Sequence, residues 1–321
     1  MTISISKPNI EELGPADWVL IALNELSSEK NTVLVMITEH AGSTPRNTGA
    51  WMLVGNECTY GTLGGGRLEK IAEEEAKKIL VSHTIEKRST IRYLLGPDAQ
   101  QCCGGAVNIV LELLNSEAMK WLREAETSLK KNAENAVAFQ ITEPNITPKV
   151  ISAKNKMSRL SKTHLQSLVD HRPKLFLFGA GHVGYAICSI ALQLPIRVYV
   201  IDERSWRRDL IPKSRNISVF DSDQPETIIS QITDNSLVLV MTHSHERDYQ
   251  LCRALIKKNN LDFIGLIGSK SKANRFRHRL YRDGVDPKLI DKLTCPIGTA
   301  GPPGKEPGMI ALATLYEIMR T

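Results

Sequence analysis

An apolar run that ends in three spaced glycines constrains this chain more than any other feature. Leu175-Phe176-Leu177-Phe178 leads into Gly179-Ala180-Gly181-His182-Val183-Gly184, and a mostly apolar stretch of helical length, Tyr185 to Leu192, follows. A second apolar run, Val198-Tyr199-Val200-Ile201, ends in Asp202. In order these read as strand, tight turn, helix, strand and acid, the setting in which Gly-x-Gly-x-x-Gly binds a dinucleotide. Gly179 permits the sharp turn, Gly181 removes a side chain where phosphate must approach, and Gly184 lets the helix lie close to the strand. The helix start then offers free N–H groups and the positive end of its dipole to an anion. Asp202 falls where a ribose hydroxyl would be held. The bland alternative is a turn of the same shape that binds nothing.

The alternation continues to the end of the chain. Ile217 to Phe220 reads as a strand, Pro225 to Ile232 as a helix, and Ser236 to Met241 as a buried strand ending at Thr242-His243-Ser244-His245. A helix over Tyr249 to Lys258 and a strand over Phe263 to Ile267 follow, the latter ending at Gly268-Ser269-Lys270-Ser271-Lys272. Cys295-Pro296-Ile297-Gly298 and Gly304-Lys305-Glu306-Pro307 precede a last helix, Met309 to Met319. Such alternation implies a parallel doubly wound sheet from about residue 174 to 321, with ligands outside the carboxyl ends of its strands. Three polar clusters fall at strand ends: the glycine turn, the Thr-His-Ser-His segment and Gly268 to Lys272. His243 and His245 could move a proton near neutrality. The competing reading is a capped strand-to-helix turn, with Ser244 or Asp248 at the helix start. Lys305 is a candidate phosphate contact or a solvated loop lysine.

The first 142 residues predict a second α/β domain. A helix over Ala16 to Leu26, a buried strand over Val33 to Thr38 and a strand over Ala50 to Val54 flank the loop Glu39-His40-Ala41-Gly42-Ser43-Thr44-Pro45-Arg46. Gly61-Thr62-Leu63-Gly64-Gly65-Gly66 precedes a helix over Leu68 to Leu80; consecutive glycines allow a nest of N–H groups that would cradle an anion. Arg67 opposes the helix dipole there, which an anion nearby would explain; a simple tight turn is the even alternative. Gln101-Cys102-Cys103-Gly104-Gly105 leads into a strand over Ala106 to Leu111. Neighbouring cysteines rarely bridge each other, and no further Cys or His pair lies close enough in sequence to suggest zinc. Residues 143–173 are polar, basic and proline-punctuated, which predicts a linker with one exposed helix near Ser158 to Val169.

Composition bounds the partners. Two domains fit 321 residues. A net charge of +6 is too small and dispersed to imply nucleic-acid binding. No apolar run approaches the ~20 residues that span a bilayer, and Met1 to Ile10 lacks a secretion signal. A cytoplasmic protein with reduced thiols is expected.

Taken together, seven motifs resemble the XdhC/CoxI family of xanthine dehydrogenase accessory proteins. They are residues 39–46, 61–66, 101–105, 178–184, 241–245, 265–269 and the pair 295–298 with 304–307. The Cys-Cys-Gly-Gly loop is closer to the XdhC branch, and Arg67 stands where CoxI-like members would carry a cysteine. The resemblance implies an N-terminal XdhC/CoxI-type domain and a C-terminal Rossmann-like domain. It also implies a chaperone without turnover that binds the molybdenum cofactor, as molybdopterin or its cytosine dinucleotide form. Such a chaperone protects the cofactor during sulfuration by a cysteine desulfurase and inserts it into an apo-molybdoenzyme, xanthine dehydrogenase or aldehyde oxidoreductase. The expected cofactor contacts are Gly179, Gly181, His182, Gly184, Asp202, Gly64, Gly65, Gly66, Arg46, Cys102, Cys103, His243, His245, Ser269, Lys270 and Lys305. Cys103 is the expected contact to molybdenum, since soft thiolates suit that metal. A homodimer is expected from base rates. The rivals are an NAD-dependent oxidoreductase with His243 or His245 as acid, and a protein–protein adaptor with a vestigial nucleotide fold.

Overall fold

The computed structural model describes residues 13–82, 86–96, 104–131, 133–153, 162–222, 224–258 and 260–320. Two compact units emerge, Met1–His171 and Arg172–Thr321. Among the described residues, no helix is long and apolar enough to cross a membrane.

The first unit is built from α1 (Asp17–Ser27), β1 (Thr32–Ala41), β2 (Trp51–Val54), β3 (Thr59–Gly61), α2 (Gly66–Val81), β4 (Arg88–Leu94), β5 (Ala106–Leu114) and α3 (Met119–Lys130). Strands β6 (Asn135–Gln140), β7 (Lys149–Ser152) and β8 (Thr163–Ser167) complete it. Its main sheet runs β3-β2-β1-β5-β4, with every neighbouring pair antiparallel. Alternation along β1 sends Val33, Val35 and Ile37 to the face that α2 covers with Leu68, Ala72 and Ala76. Leu34 and Met36 go to the other face, where α1 and α3 bring Trp18, Ile21, Trp121 and Leu122. Both faces are covered, so β1 reads as a continuous apolar run rather than an alternating one.

The expected linker is a correction. β7 and β8 flank β6 in a three-stranded antiparallel sheet, and the first unit extends to His171. Where a helix was expected to 169, residues 163–167 form a strand. The short strands give too weak an apolar signal to read as sheet: β7 buries no residue fully, and the buried positions of β8 are the polar His164 and Gln166. Gln166 donates to the Gly49 carbonyl at 3.0 Å, so β8 holds the β1–β2 loop.

The second unit contains β9 (Lys174–Phe178), α4 (His182–Ala191), β10 (Arg197–Ile201), α5 (Ser205–Arg208), β11 (Ile217–Phe220), β12 (Ser236–Val240) and α6 (His245–Leu255). After these come β13 (Leu261–Leu266), α7 (Lys270–Arg282), α8 (Pro287–Ile290), β14 (Leu293–Thr294) and α9 (Pro307–Ile318). The parallel sheet has the order β11-β10-β9-β12-β13-β14. That is 3-2-1-4-5-6 in chain order, the doubly wound Rossmann arrangement whose switch point lies between β9 and β12. Leu175 and Leu177 join the core on the side of α4 and α9, while Phe176 and Phe178 join that of α6 and α7. The expected helix over Pro225 to Ile232 is a 3-10 segment, Pro225–Gln231, and α6 begins at His245, four residues before the expected Tyr249.

Candidate ligand-binding site

The three glycines of the β9–α4 turn have different reasons to be there. Gly179 has φ +118, and a Cβ on it would stand 2.3 Å from the Met241 carbonyl oxygen at the end of β12. A Cβ on Gly184 would stand 2.1 Å from the Gly179 carbonyl oxygen. Both glycines are demanded by the fold. Gly181 is not: its φ is an ordinary −69, and a Cβ there would meet nothing within 4 Å. Gly181 is also the N-cap of α4, and no side chain among the described residues caps that helix. Open space thus stands before a helix start whose N–H groups lack an internal side-chain acceptor.

Asp202 lies beside this turn but is engaged. Its Oδ2 accepts from the Ala180 N–H at 2.7 Å, its Oδ1 from the Arg204 N–H at 2.9 Å, and the Arg204 guanidinium bonds both oxygens at 2.8 and 2.7 Å. Burial pushes this carboxyl up, but Arg204 and the N–H groups of Ala180 and Arg204 outweigh it and hold its pKa below the usual value. The expected ribose contact is therefore already replaced by bonds that brace the turn. The crevice among Gly179, Asp202, Glu203, Thr242, His243 and Arg247 has a volume of about 10 Å³. Glu203 closes it by pairing with Arg247 and, at 3.3 Å, with His243 Nε2. The structure thus brings Gly179, Asp202 and His243 together around a space too small for a ring.

The next two strand ends are organised by capping and by one buried ion pair. Ser244 accepts from the Arg247 N–H at 3.3 Å, which makes the Thr-His-Ser-His segment a capped turn. Ser269 does the same for α7, its hydroxyl oxygen accepting from the Lys272 N–H at 3.2 Å. Fully buried Asp248 accepts from the Thr242 N–H and hydroxyl at 2.9 and 2.7 Å, and from Lys272 Nζ at 2.7 Å. Lys272 also donates to the Ile267 carbonyl at 2.9 Å. Sequence reasoning passed over this pair. The available signal was a lysine in the first turn of a helix, where the dipole disfavours it without a partner. His245, Lys270 and Lys305 are exposed at or just before the starts of α6, α7 and α9.

In the first unit the glycine nest forms but is filled from within. Glu69, in the first turn of α2, places Oε2 at 2.8 Å from the Leu63 N–H, 3.1 Å from the Gly65 N–H and 2.5 Å from the Thr62 hydroxyl. The expectation that Gly64, Gly65 and Gly66 cradle a ligand anion is corrected: the chain supplies the anion. A Glu reaching back to the N-cap N–H does what the acid of a capping box does, here from one residue further along the helix, and an acid in the first turn behind the glycines was the signal missed. Arg46 does come together with Gly64, whose added Cβ would lie 2.7 Å from Pro45 Cβ and 3.0 Å from Arg46 Cγ. Gly105, which ends the third motif loop, donates to the Ser43 carbonyl at 3.1 Å. Loops 41–48, 62–66 and the flank of 97–105 therefore meet at one end of the main sheet. Cys102 and Cys103 lie outside the described residues. Glu69→Ala is expected to cost the first unit about 1–2 kcal/mol, as loss of a charged cap does, and to make its stability rise with added phosphate. Chemical denaturation with and without phosphate measures both; a variant as stable as wild type would show that the nest needs no anion.

Residues 175–318 match the XdhC Rossmann domain, and residues 26–93 match the XdhC and CoxI family. A Bacillus subtilis protein named as a probable xanthine dehydrogenase subunit is 24% identical over 335 residues, covering 92% of this chain and 94% of that protein. YqeB of Escherichia coli is 24% identical over 293 residues, 89% of this chain, and the chain spans 43% of its length. A crystal structure described as a xanthine dehydrogenase from Bacillus halodurans superposes with a TM-score of 0.75 at 20% identity, covering 96% of this chain and 95% of that one. At that identity the likeness speaks for the fold.

Proposed function

Because the chain belongs to the XdhC and CoxI family, we propose that it is an accessory protein that carries the molybdenum cofactor to an apo-molybdoenzyme. The client is of the xanthine dehydrogenase or aldehyde oxidoreductase type, and the cofactor is held while a cysteine desulfurase supplies its sulfur. The cargo enters phosphate first, at the start of α4, where backbone N–H groups and the helix dipole bind it.

One observation carries this reading: no neighbour among the described residues requires Gly181 to lack a side chain, and a helix start with no side-chain cap among them opens in front of it. A phosphate explains both. The residues nearby favour a ligand with a single phosphate arm over NAD. A dinucleotide of that kind needs a free acid for its ribose and room beside it, yet Asp202 is engaged with Ala180 and Arg204 and the adjoining crevice is closed by Glu203 and Arg247. Thiol contact to molybdenum by Cys103 remains part of the proposal as a residue-type argument: a thiolate is the soft ligand such a metal prefers.

The test is purification of the chain from a host that makes the cofactor, followed by oxidative release and detection of the pterin. A pterin in the folded protein is expected, together with activation of an apo-molybdoenzyme on mixing. Calorimetry with NAD runs beside it. Tight NAD binding by a pterin-free, folded sample would reverse the reading in favour of an oxidoreductase.

A further inference from the structure

A cleft of about 540 Å³ opens beside the glycine turn, lined by Ala180, His182, Tyr185, Ala186, Arg207, Leu210 and Pro307. It shares Ala180 and His182 with the turn and lies away from the crevice that Glu203 closes. Its volume is in the range of small-molecule sites, roughly 300–1,000 Å³. Its walls are unusual for surface that faces only water. Tyr185 is 46% exposed and Leu210 56%. Trp206, 55% exposed, lies under the Arg207 guanidinium, whose carbon is 4.3 Å from the ring centroid. Arg207 Nε is shielded from water and has no hydrogen-bond partner among the described residues. The stack on Trp206 holds the guanidinium plane in place, so a fixed cationic donor lines a cleft with an aromatic wall.

We propose that this cleft is a subsite for the planar heteroaromatic ring of the ligand whose phosphate sits at Gly181, the pterin in the reading above, on which this inference rests. The helix sets the spacing. The Tyr185 N–H bonds the Gly181 carbonyl at 2.8 Å, so Tyr185 stands one turn above the phosphate position. Four residues along a helix are about 6 Å, a distance a short phosphate-bearing arm spans. A flat ring laid against Tyr185 and Leu210 buries apolar surface that water otherwise meets. Its polar edge offers acceptors to Arg207. A chain of sugar hydroxyls would leave the aromatic wall uncovered, and a bare phosphate would not reach it.

The experiment uses the full chain and three probes: a stable oxidised pterin with a phosphomonoester arm, cytidine monophosphate, and inorganic phosphate. Tyr185→Ala and Arg207→Ala change exposed or half-exposed side chains, so both fold. Each is expected to weaken the pterin phosphate about tenfold, the usual size of a lost ring contact, and to leave the thermal shift from inorganic phosphate unchanged. The same loss with cytidine monophosphate instead keeps the ring subsite and assigns it to a nucleobase. Unchanged affinity for both ring probes overturns the proposal, and so does an equal loss for inorganic phosphate, which would mean that these side chains act on the turn. Gly181→Val separates the two readings. If it binds inorganic phosphate as wild type does, the phosphate reading of the turn fails, whatever the Tyr185 variants show.

Discussion

Gly181→Val is expected to fold and to lose phosphate binding, whereas Gly184→Ala, a far smaller change, is expected to leave the second unit unfolded. The two glycines are three residues apart in one motif, and only geometry tells them apart. A methyl at 184 would press to 2.1 Å of the Gly179 carbonyl oxygen, and that oxygen belongs to a residue already at φ +118 against Met241. Neither neighbour is the mobile end of a side chain, so the strain must be relieved by moving α4 off β9. The cost should exceed about 4 kcal/mol, above the roughly 1–3 kcal/mol usual for overpacking, because the contacts are backbone that cannot swing aside. At 181 an added Cβ meets nothing within 4 Å and the backbone is unstrained. Valine is a poorer N-cap, a loss of about 1 kcal/mol or less. It also fills the space an incoming phosphate needs. Thermal melting and phosphate-dependent shifts on the pair measure this directly. A Gly181→Val protein with wild-type phosphate response, or a well-folded Gly184→Ala protein, would contradict the geometry of the turn.

The second unit was legible because its buried strands are apolar runs that stop abruptly at glycine or polar clusters. Val240 gives way to Thr242-His243, and Leu266 to Gly268-Ser269. What those clusters do was less legible. Ser244 and Ser269 are helix caps, and serine at a strand end has the same appearance whether it caps or binds. α7 escaped the reading because it buries few apolar groups, among them Ala273, Phe276 and Leu280, on an otherwise basic helix. Asp202 was placed correctly at the tip of β10, yet Arg204, two residues on, takes both its oxygens. An acid's position is set by strand register, whereas its availability depends on which side chain folds back on it. The same holds for the glycine nest, whose shape was foreseeable and whose occupant, Glu69, was overlooked.

Residues 140–146 show what sequence alone could not supply, and they give the second large effect: Arg88→Met should strip about 3–5 kcal/mol from the first unit, the cost of leaving a buried partner uncompensated. Arg88 and Glu112 are 2% and 3% exposed and meet in a two-point pair, Nε to Oε2 at 2.7 Å and Nη2 to Oε1 at 3.2 Å. The rest of the guanidinium reaches the carbonyls of Gln140 at 2.6 Å, Glu143 at 3.3 Å and Ile146 at 3.0 Å. One side chain on β4 therefore holds the stretch that follows β6 against the main sheet. Burial pushes the Glu112 carboxyl up to about 7 from its ordinary 4.5, against the pull of Arg88. A raised folded-state pKa gives stability that is whole below the unfolded value and is lost as pH climbs through the folded one. Without Arg88 that folded value rises further. The variant should thus lie nearest to wild type at about pH 5 and fall further behind as pH passes 7. Trp18 and Trp121, packed 6.1 Å apart in this unit's core, report the transition by fluorescence. Adding Glu112→Leu should restore the part of the loss that comes from the uncompensated carboxyl and abolish its pH dependence, because no buried charge then remains, while the lost bonds to the carbonyls of Gln140, Glu143 and Ile146 keep the double variant below wild type. A single variant with a small, pH-independent deficit would mean that Glu112 is neutral in the folded protein and that the carbonyl contacts alone tie residues 140–146 to β4.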